Sequence, residues 1–177
     1  EVSAVRLYHD NVLAKQSGCG RTPWHFDDHH FPLDTNDVVT AWAPAQPTPI
    51  EMGPLSFAYP LDVHELIKDV TFEKTGTGYD REVSNIFSKN NVNVNATPFE
   101  LGEVSFHHNL NFHTASSNRT NCSRIALANT YYRDGARVIN SPTMVSGDWQ
   151  KFMPNVKPGD IAASPLNPIC WPIKSKL

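Results

Sequence analysis

The sequence predicts a mostly β fold of the sandwich or barrel type. Short runs rich in β-branched and aromatic residues recur along the chain, and Gly and Pro residues separate them, with 9 Gly and 14 Pro in 177 residues. The strand-like runs do not alternate regularly with helical segments, as they would in a parallel α/β fold. Apolar residues make up 40% of the chain and charged residues 19%, which is typical of a globular protein.

The first half of the chain contains three strand-like segments. Residues 4–15 predict an extended hairpin or one long strand, and both alternatives are open. Residues 37–44 contain the β-branched and aromatic run VVTAW before a proline, which predicts a strand. Residues 55–59 (LSFAY) follow a Gly-Pro turn and predict a second, shorter strand.

The middle of the chain changes character before strands resume. Apolar residues at helical spacing within residues 61–98 predict an insertion with one or two helices, the second of them capped by Asp80. Further strands are predicted at residues 102–107, 110–113 and 124–132. The Pro-rich tail from Ser141 onward is expected to wrap the core.

Charge and cysteine content limit the possible partners and compartments. The formal net charge is -3 and no run of basic residues could follow a phosphate backbone, so we expect no nucleic acid partner. Three widely spaced cysteines without a C-x-x-C pair predict neither a disulfide framework nor a zinc knuckle. No apolar stretch reaches the roughly 20 residues that span a bilayer, and the start does not resemble a signal peptide. We therefore expect a cytoplasmic protein without a membrane partner.

Three residues have the chemistry of a metal site. On a strand, residues two apart point to the same face, so His25 and Asp27 would project an imidazole and a carboxylate into one cavity. His113 lies far downstream in another β-like segment, which a barrel could bring opposite. Two His and one carboxylate form a facial triad with open positions, as in Fe(II) oxygenases. Taken alone, however, H-x-D is a weak motif, because chance and strand-edge hydrogen bonding also produce it.

Four sequence blocks give this motif a context. Residues 22–27 read TPWHFD, and FPL at 31–33 and VTAW at 39–42 follow. Later blocks are MGPLSF at 52–57, GEVSFHH at 102–108, NFH at 111–113 and NRT at 118–120. In this order the blocks resemble the phytanoyl-CoA dioxygenase family over about residues 2–138.

The resemblance implies a fold and an activity. The fold would be a double-stranded β-helix, that is, a cupin-like jelly roll with a few flanking helices. Residues 1–177 would form a single oxygenase domain that lacks part of the family's N-terminal helical region. The activity would be that of an Fe(II)- and 2-oxoglutarate-dependent dioxygenase that uses O2, releases succinate and CO2, and hydroxylates a small organic substrate. Neither the substrate nor the oligomeric state can be read from the sequence.

The resemblance also assigns roles to individual residues. The iron ligands would be His25, Asp27 and His113. Arg124, eleven residues after His113, would pair with the far carboxylate of 2-oxoglutarate, since its planar fork suits a carboxylate. Trp42 and Asn11 would line the cosubstrate pocket.

Two other interpretations of the same residues stay open. A cupin-like metalloenzyme could hold a metal on this triad without 2-oxoglutarate, and Arg124 would then have no special role. A jelly-roll binding protein without catalysis is the other alternative, because Ala115 stands where family members often have Ser and because only 24 residues precede His25.

Four further histidines are candidates with weaker arguments. His29 and His30 follow the H-x-D motif and could face substrate, although exposed loop histidines are commoner. Strand alternation predicts that either His107 or His108 points inward, as a core histidine more readily than as a further metal ligand.

Overall fold

The computed structural model describes residues 2–73, 77–140 and 147–172, which contain nine strands. The strands are β1 (Val5–Lys15), β2 (Thr22–His25), β3 (Val38–Pro44), β4 (Leu55–Tyr59), β5 (Asn93–Ala96), β6 (Ser105–His108), β7 (His113–Ala115), β8 (Arg124–Arg133) and β9 (Ile169–Trp171). They form two antiparallel sheets with the strand orders β6-β3-β8-β1-β9 and β2-β7-β4-β5. The inner faces of both sheets line one cavity.

This architecture is the double-stranded β-helix, so the predicted fold class is confirmed. Strands β3, β4 and β8 lie where the sequence predicts them. The predicted strands at 102–107 and 110–113 are shifted, because residues 109–112 form a turn in which the Asn111 N–H donates to the His108 carbonyl over 2.8 Å.

The N-terminal segment forms one long strand, β1, and not an extended hairpin. It pairs with β8 along its whole length, and the register shifts between Leu7 and His9. Tyr8 is the extra residue of this β-bulge. Beyond the bulge, His9, Asn11 and Leu13 alternate regularly and all three line the cavity.

Strand β8 is the central strand of the larger sheet and alternates strictly between buried and more exposed residues. Arg124, Ala126, Ala128, Thr130 and Tyr132 are buried, while the residues between them are exposed or half-buried. The inward face of β8 therefore crosses the interior from Arg124 at one end to Tyr132 at the other.

The insertion at residues 61–98 contains helices, as predicted. A 3-10 turn (Leu61–Val63) leads into α1 (His64–Ile67), and α2 (Gly78–Lys89) follows. Asp80 is not the cap of α2, because the helix begins at Gly78. The Asp80 carboxylate instead accepts a hydrogen bond from the Trp24 N–H over 3.3 Å.

Helix α2 supports the strand that carries the first candidate ligand. Its buried Val83 and Phe87 pack in one cluster with Trp24 and Phe112. The Trp24 and Phe112 rings are stacked with centroids 5.4 Å apart. This cluster covers the outer side of β2 and β7, next to the ends of both strands where the candidate histidines lie.

The tail packs against the core in the part that the structure describes, residues 147–172, while residues 141–146 and 173–177 of the predicted tail lie outside the described residues. Trp149, Met153 and Val156 are buried in the cluster that also contains Tyr8. Strand β9 pairs with the start of β1. Among the described residues, no helix is long and apolar enough to cross a membrane.

Candidate metal centre

The structure brings the three predicted metal ligands together. One ligand atom each from His25, Asp27 and His113 lies within 4.8 Å of the other two. The Asp27 Oδ1 atom is 3.7 Å from the Nε2 atom of His25 and 3.8 Å from that of His113. The two histidines are direct cross-strand partners of β2 and β7, which explains why their rings lie only 4.2 Å apart.

Asp27 reaches the site from a turn and not from a strand, in contrast to the sequence-based prediction. Strand β2 ends at His25, and Asp27 begins a 3-10 turn (Asp27–His30) rather than continuing the strand. Phe26 between them still has extended backbone angles, φ -120 and ψ 148. Alternation therefore holds as far as Asp27, and its carboxylate points to the same side as the His25 imidazole.

The turn that begins at Asp27 is fixed by a neighbouring asparagine. Asn109 is almost completely buried, and its Nδ2 donates to Asp28 Oδ1 over 2.9 Å. The Asp28 N–H in turn donates to the Asn109 carbonyl over 3.2 Å. These two bonds hold the backbone immediately after Asp27, which limits how far its carboxylate can move.

Backbone carbonyls set the tautomers of both histidines. The Nδ1 atom of His25 lies 2.8 Å from the Pro23 carbonyl, and the Nδ1 atom of His113 lies 2.8 Å from the Asn111 carbonyl. A carbonyl can only accept, so each Nδ1 carries the proton and each Nε2 presents its lone pair. Orientation of a ligating imidazole through its other nitrogen is the usual arrangement in metal sites.

The two oxygens of the Asp27 carboxylate have different surroundings. Oδ1 faces the two histidines, whereas Oδ2 accepts a hydrogen bond from the Thr40 hydroxyl over 3.0 Å. The Thr40 hydroxyl is itself 3.1 Å from that of Thr130 on β8. His107 Nε2 lies 3.5 Å from Oδ2. With Oδ2 occupied in this way, Oδ1 is the oxygen available to a metal.

Burial and the interactions among the three side chains set their protonation. It lowers the pKa of His25, and burial together with the neighbouring His25 lowers the pKa of His113 to about 3. Burial alone would raise the pKa of Asp27, but the imidazoles of His113, His107 and His25 hold it well below its usual range. At neutral pH the site therefore contains a carboxylate and two neutral imidazoles, the protonation states that a divalent cation requires.

The triad lies in the wall of a cavity of about 400 Å³. This volume is within the range of small-molecule sites, roughly 300 to 1,000 Å³. Both sheets, the 3-10 turn after Asp27 and the tail contribute to the lining. The predicted cosubstrate residues Arg124, Trp42 and Asn11 all line this cavity.

Arg124 is a buried cation without an acidic partner in the described part of the chain. Its side chain donates to the Gly53 carbonyl, and its guanidinium carbon lies 5.3 Å from the centre of the Trp42 ring. The Nε of Arg124 and the Nε1 of Trp42 are both buried donors without a hydrogen-bond partner. Two unpaired donors beside a cavity fit a ligand that presents acceptor oxygens.

A second cation lies behind Arg124. Lys15 is its cross-strand partner and is buried, with its ammonium donating to the carbonyls of Gly20 over 2.8 Å and of Ser116 over 3.0 Å. Burial and the charge of Arg124 lower the pKa of Lys15 to about 8. This end of the cavity is electropositive.

Gly53 makes the close approach of this turn possible. It has φ +72, and a Cβ at this position would overlap the Ser116 carbonyl oxygen. Only glycine fits here without strain. The Gly-Pro-Leu turn thereby places the Gly53 carbonyl against Arg124.

Other histidines are distributed as alternation and local turns dictate. His107 is the inward member of its pair and lines the cavity, whereas His108 accepts a hydrogen bond from the Leu110 N–H over 3.1 Å. His30 lines the cavity and its ring lies 5.9 Å from that of His25. His29 is exposed and does not line the cavity.

Sequence reasoning missed several cavity residues, among them His9, Phe152 and Thr40. His9 offered no signal, because a bulge rather than simple alternation directs it and Tyr8 together toward the cavity. Phe152 belongs to the irregular tail, where no periodicity relates a residue to the site. Thr40 could have been identified, since it is two residues before Trp42 on a predicted strand and therefore faces the same side.

The sequence was compared with models of known protein families. The family model described as phytanoyl-CoA dioxygenase (PhyH) matches residues 2–126. The chain belongs to the phytanoyl-CoA dioxygenase family. Enzymes of this family use Fe(II), 2-oxoglutarate and O2. Among curated proteins, none matches the chain significantly.

Several solved structures share this fold. The α-ketoglutarate-dependent carbocyclase SnoK from nogalamycin biosynthesis has a TM-score of 0.72 at 24% identity, over 94% of this chain and 62% of SnoK. The epimerase SnoN, in complex with Fe3+, α-ketoglutarate and nogalamycin RO, has a TM-score of 0.71 at 21% identity, over 94% of this chain and 65% of SnoN. EvdO2 from Micromonospora carbonacea var. aurantiaca has a TM-score of 0.52 at 15% identity, over 80% of this chain and 57% of EvdO2.

The chain thus spans 62% and 65% of the lengths of SnoK and SnoN. These two relatives of the phytanoyl-CoA dioxygenase fold are described as a carbocyclase and an epimerase, so one fold supports different reactions.

Proposed function

We propose that this chain is an Fe(II)- and 2-oxoglutarate-dependent dioxygenase in which His25, Asp27 and His113 bind the iron. The proposal rests above all on one observation: a single cavity contains this complete ligand triad and also a buried arginine whose Nε donor is unpaired. A triad alone would suit many metals, whereas the arginine adds a receptor for a carboxylate.

The spacing between the two parts fits a short dicarboxylate. The Arg124 guanidinium lies against Trp42, which is two residues from Thr40 on β3, and Thr40 holds the Asp27 carboxylate. Two residues along a strand correspond to ~7 Å. A five-carbon dicarboxylate could therefore reach from the metal to the guanidinium.

Each neighbouring residue then has a definite task. Arg124 would pair with the far carboxylate of 2-oxoglutarate, and Trp42 would close the pocket and offer its indole N–H. Asn11 faces the cavity opposite Ala128, between the arginine and the triad, where its amide could contact the cosubstrate.

Iron held by this triad would couple the oxidative decarboxylation of 2-oxoglutarate by O2, which gives succinate and CO2, to oxidation of a substrate C–H bond. Hydroxylation of a small organic molecule is the outcome that we propose. Because Asp27 supplies a carboxylate ligand, its coordination position is not vacant for chloride, which argues against a halogenase. We also propose that residues 1–177 belong to one oxygenase domain.

The two alternative functions account less well for the site. A cupin-like enzyme that does not use 2-oxoglutarate leaves the unpaired donors of Arg124 and Trp42 without a purpose. A non-catalytic binding protein leaves unexplained why Asp27 is held so that one oxygen faces two unprotonated nitrogens.

The decisive test is an anaerobic titration of metal-free protein with Fe(II) and then 2-oxoglutarate, in which the visible charge-transfer band of the chelate is followed. We expect a band that disappears in His113→Ala and persists in the matched control His108→Ala, whose ring lies outside the triad. Iron binding without a band would favour the cupin-like alternative. Failure to bind iron would favour the non-catalytic protein.

A further inference from the structure

The cavity has an aromatic wall that the triad and the cosubstrate residues leave unused. It consists of the rings of Tyr8, His9, Phe31 and Phe152, all of which line the cavity. The Tyr8 and Phe31 rings are 4.8 Å apart, as are those of His9 and Phe152. The Tyr8 and Phe152 rings are 5.8 Å apart and join the two pairs into one continuous cluster, which we call the aromatic wall.

Two irregular features of the fold create this wall. The β-bulge in β1 lets the consecutive residues Tyr8 and His9 both reach the cavity, with their rings 5.0 Å apart and nearly perpendicular. In a regular strand one of them would point to the opposite face. Phe31 follows the 3-10 turn of Asp27 directly, and Phe152 follows a second 3-10 turn in the tail.

The wall lies at the opposite end of the cavity from the cosubstrate arginine. Along the pairing of β1 with β8, Lys15 is opposite Arg124, whereas His9 is opposite Thr130. Thr130 is the residue whose hydroxyl supports Thr40, next to Asp27. A molecule bound against the wall would thus lie beside the metal and leave the arginine end free.

The charges of the cavity restrict what can bind there. Among the described residues that line it, the only Lys or Arg is Arg124 and the only carboxylate is Asp27. Both belong to the proposed cosubstrate and metal sites. Near the wall the polar groups are the His9 and His30 imidazoles and the Tyr8 hydroxyl. The Tyr8 hydroxyl is buried without a hydrogen-bond partner. A charged group would lose its hydration here without gaining a counter-ion.

Phe152 adds a reason to connect the wall with substrate choice. The match to the family ends at residue 126, so this part of the wall comes from a segment outside the shared model. Its backbone is anchored by the buried neighbours Trp149 and Met153, while its own ring is only partly buried. A fixed ring with a free face is suited to select a ligand by shape.

We infer that the substrate carries a flat, uncharged ring system with hydroxyl or carbonyl groups, which packs against Phe152 and His9 while its oxygens meet the imidazoles and the Tyr8 hydroxyl. The assignment of this ligand as the substrate rests on the proposed function. The existence of the ring site does not, because it depends only on the wall itself.

The test is binding of 1-naphthol, a small uncharged ring with one hydroxyl, to the metal-free protein, followed by its fluorescence. We expect saturable binding below ~1 mM and a roughly tenfold weaker affinity in Phe152→Ala, since an aromatic contact with its buried area is lost. The matched control is Phe106→Ala, because Phe106 is 71% exposed on β6, and its affinity should equal that of the wild type. Phe152→Leu, which keeps the apolar volume, guards against a folding defect and should also bind more weakly than wild type.

Charge is tested with 1-naphthyl phosphate, which should bind at least about tenfold more weakly than 1-naphthol because the wall offers no cation. Equal or tighter binding of the phosphate would overturn the uncharged class. Unchanged affinity in both Phe152 variants, or no saturable naphthol binding, would overturn the site. The iron and 2-oxoglutarate band should persist in Phe152→Ala. Naphthol binding in a protein that never forms the band would instead reject the proposed function and leave the ring site standing.

Discussion

Replacing Arg124 by Met should separate ligand binding from folding. Met has a similar reach but neither charge nor donors. In the ligand-free protein the change removes a buried donor without a partner, which should stabilise the fold by about 1 to 3 kcal/mol. It also removes the bond to Gly53 and the contact with Trp42, and their loss should destabilise the fold by a similar amount. We therefore expect the free energy of unfolding to change by less than about 1 kcal/mol.

The same substitution should strongly weaken cosubstrate binding. Loss of a charge-assisted, two-point contact with a carboxylate corresponds to ~3 kcal/mol, or roughly a hundredfold in the dissociation constant of 2-oxoglutarate. Urea unfolding of the metal-free protein measures the first quantity. Anaerobic calorimetry with the Fe(II) protein measures the second.

A matched arginine provides the control. Arg6 forms an ion pair with Asp134, donates to the Asn167 carbonyl over 2.7 Å and does not line the cavity. Arg6→Met should leave 2-oxoglutarate affinity unchanged and cost about 1 kcal/mol of stability. The reasoning about Arg124 is refuted if Arg124→Met loses more than about 3 kcal/mol of stability, or if its 2-oxoglutarate affinity stays within about threefold of wild type.

Three further predictions concern other parts of the site. Thr40→Val should weaken Fe(II) binding roughly 10- to 100-fold in competition with a chelator, because Asp27 loses the hydroxyl that orients it; unchanged affinity would contradict this role. Gly53→Ala should lower the unfolding free energy by at least about 2 kcal/mol in urea and weaken 2-oxoglutarate binding, and a fully stable variant would show that the turn can relax. Lys15 has a pKa of about 8 and is therefore partly deprotonated at pH 8.5. A carboxylate bound nearby would raise this pKa, because it favours the charged ammonium. Binding of 2-oxoglutarate should therefore take up protons at pH 8.5 and fewer protons at pH 7. Calorimetry in two buffers of different ionisation enthalpy measures the uptake, which Lys15→Met should abolish.

The sequence was sufficient for those features that depend on residue order and local periodicity. The structure brings His25, Asp27 and His113 close together, as block order predicts, and β3 lies where its β-branched and aromatic run predicts a strand. The curled β fold followed from the same runs. Asp27 faces the same cavity as His25, as alternation predicts, although β2 ends before it, because Phe26 is extended.

Other features depend on pairings that no local pattern encodes. The bulge at Tyr8 arises from the register between β1 and β8, so His9 could not be assigned to the cavity from its own neighbourhood. Phe152 reaches the site through packing of an irregular tail. Asp80 was assigned as a helix cap because the residue type suits one, but its ion pair with Arg21 and its bond to the Trp24 N–H involve a strand far away in the sequence.

The direct pairing of His25 with His113 also makes the stability of the folded protein depend on the supply of metal. His25 and Asp27 lie in one segment of the chain and His113 lies far downstream, so an ion could contact all three ligands only in the folded form. Free metal at a hundred times its dissociation constant would then add ~2.7 kcal/mol to the folding free energy. A cell short of iron would hold more of this chain in a form open to proteases, and the amount of protein, besides its activity, would follow the iron available.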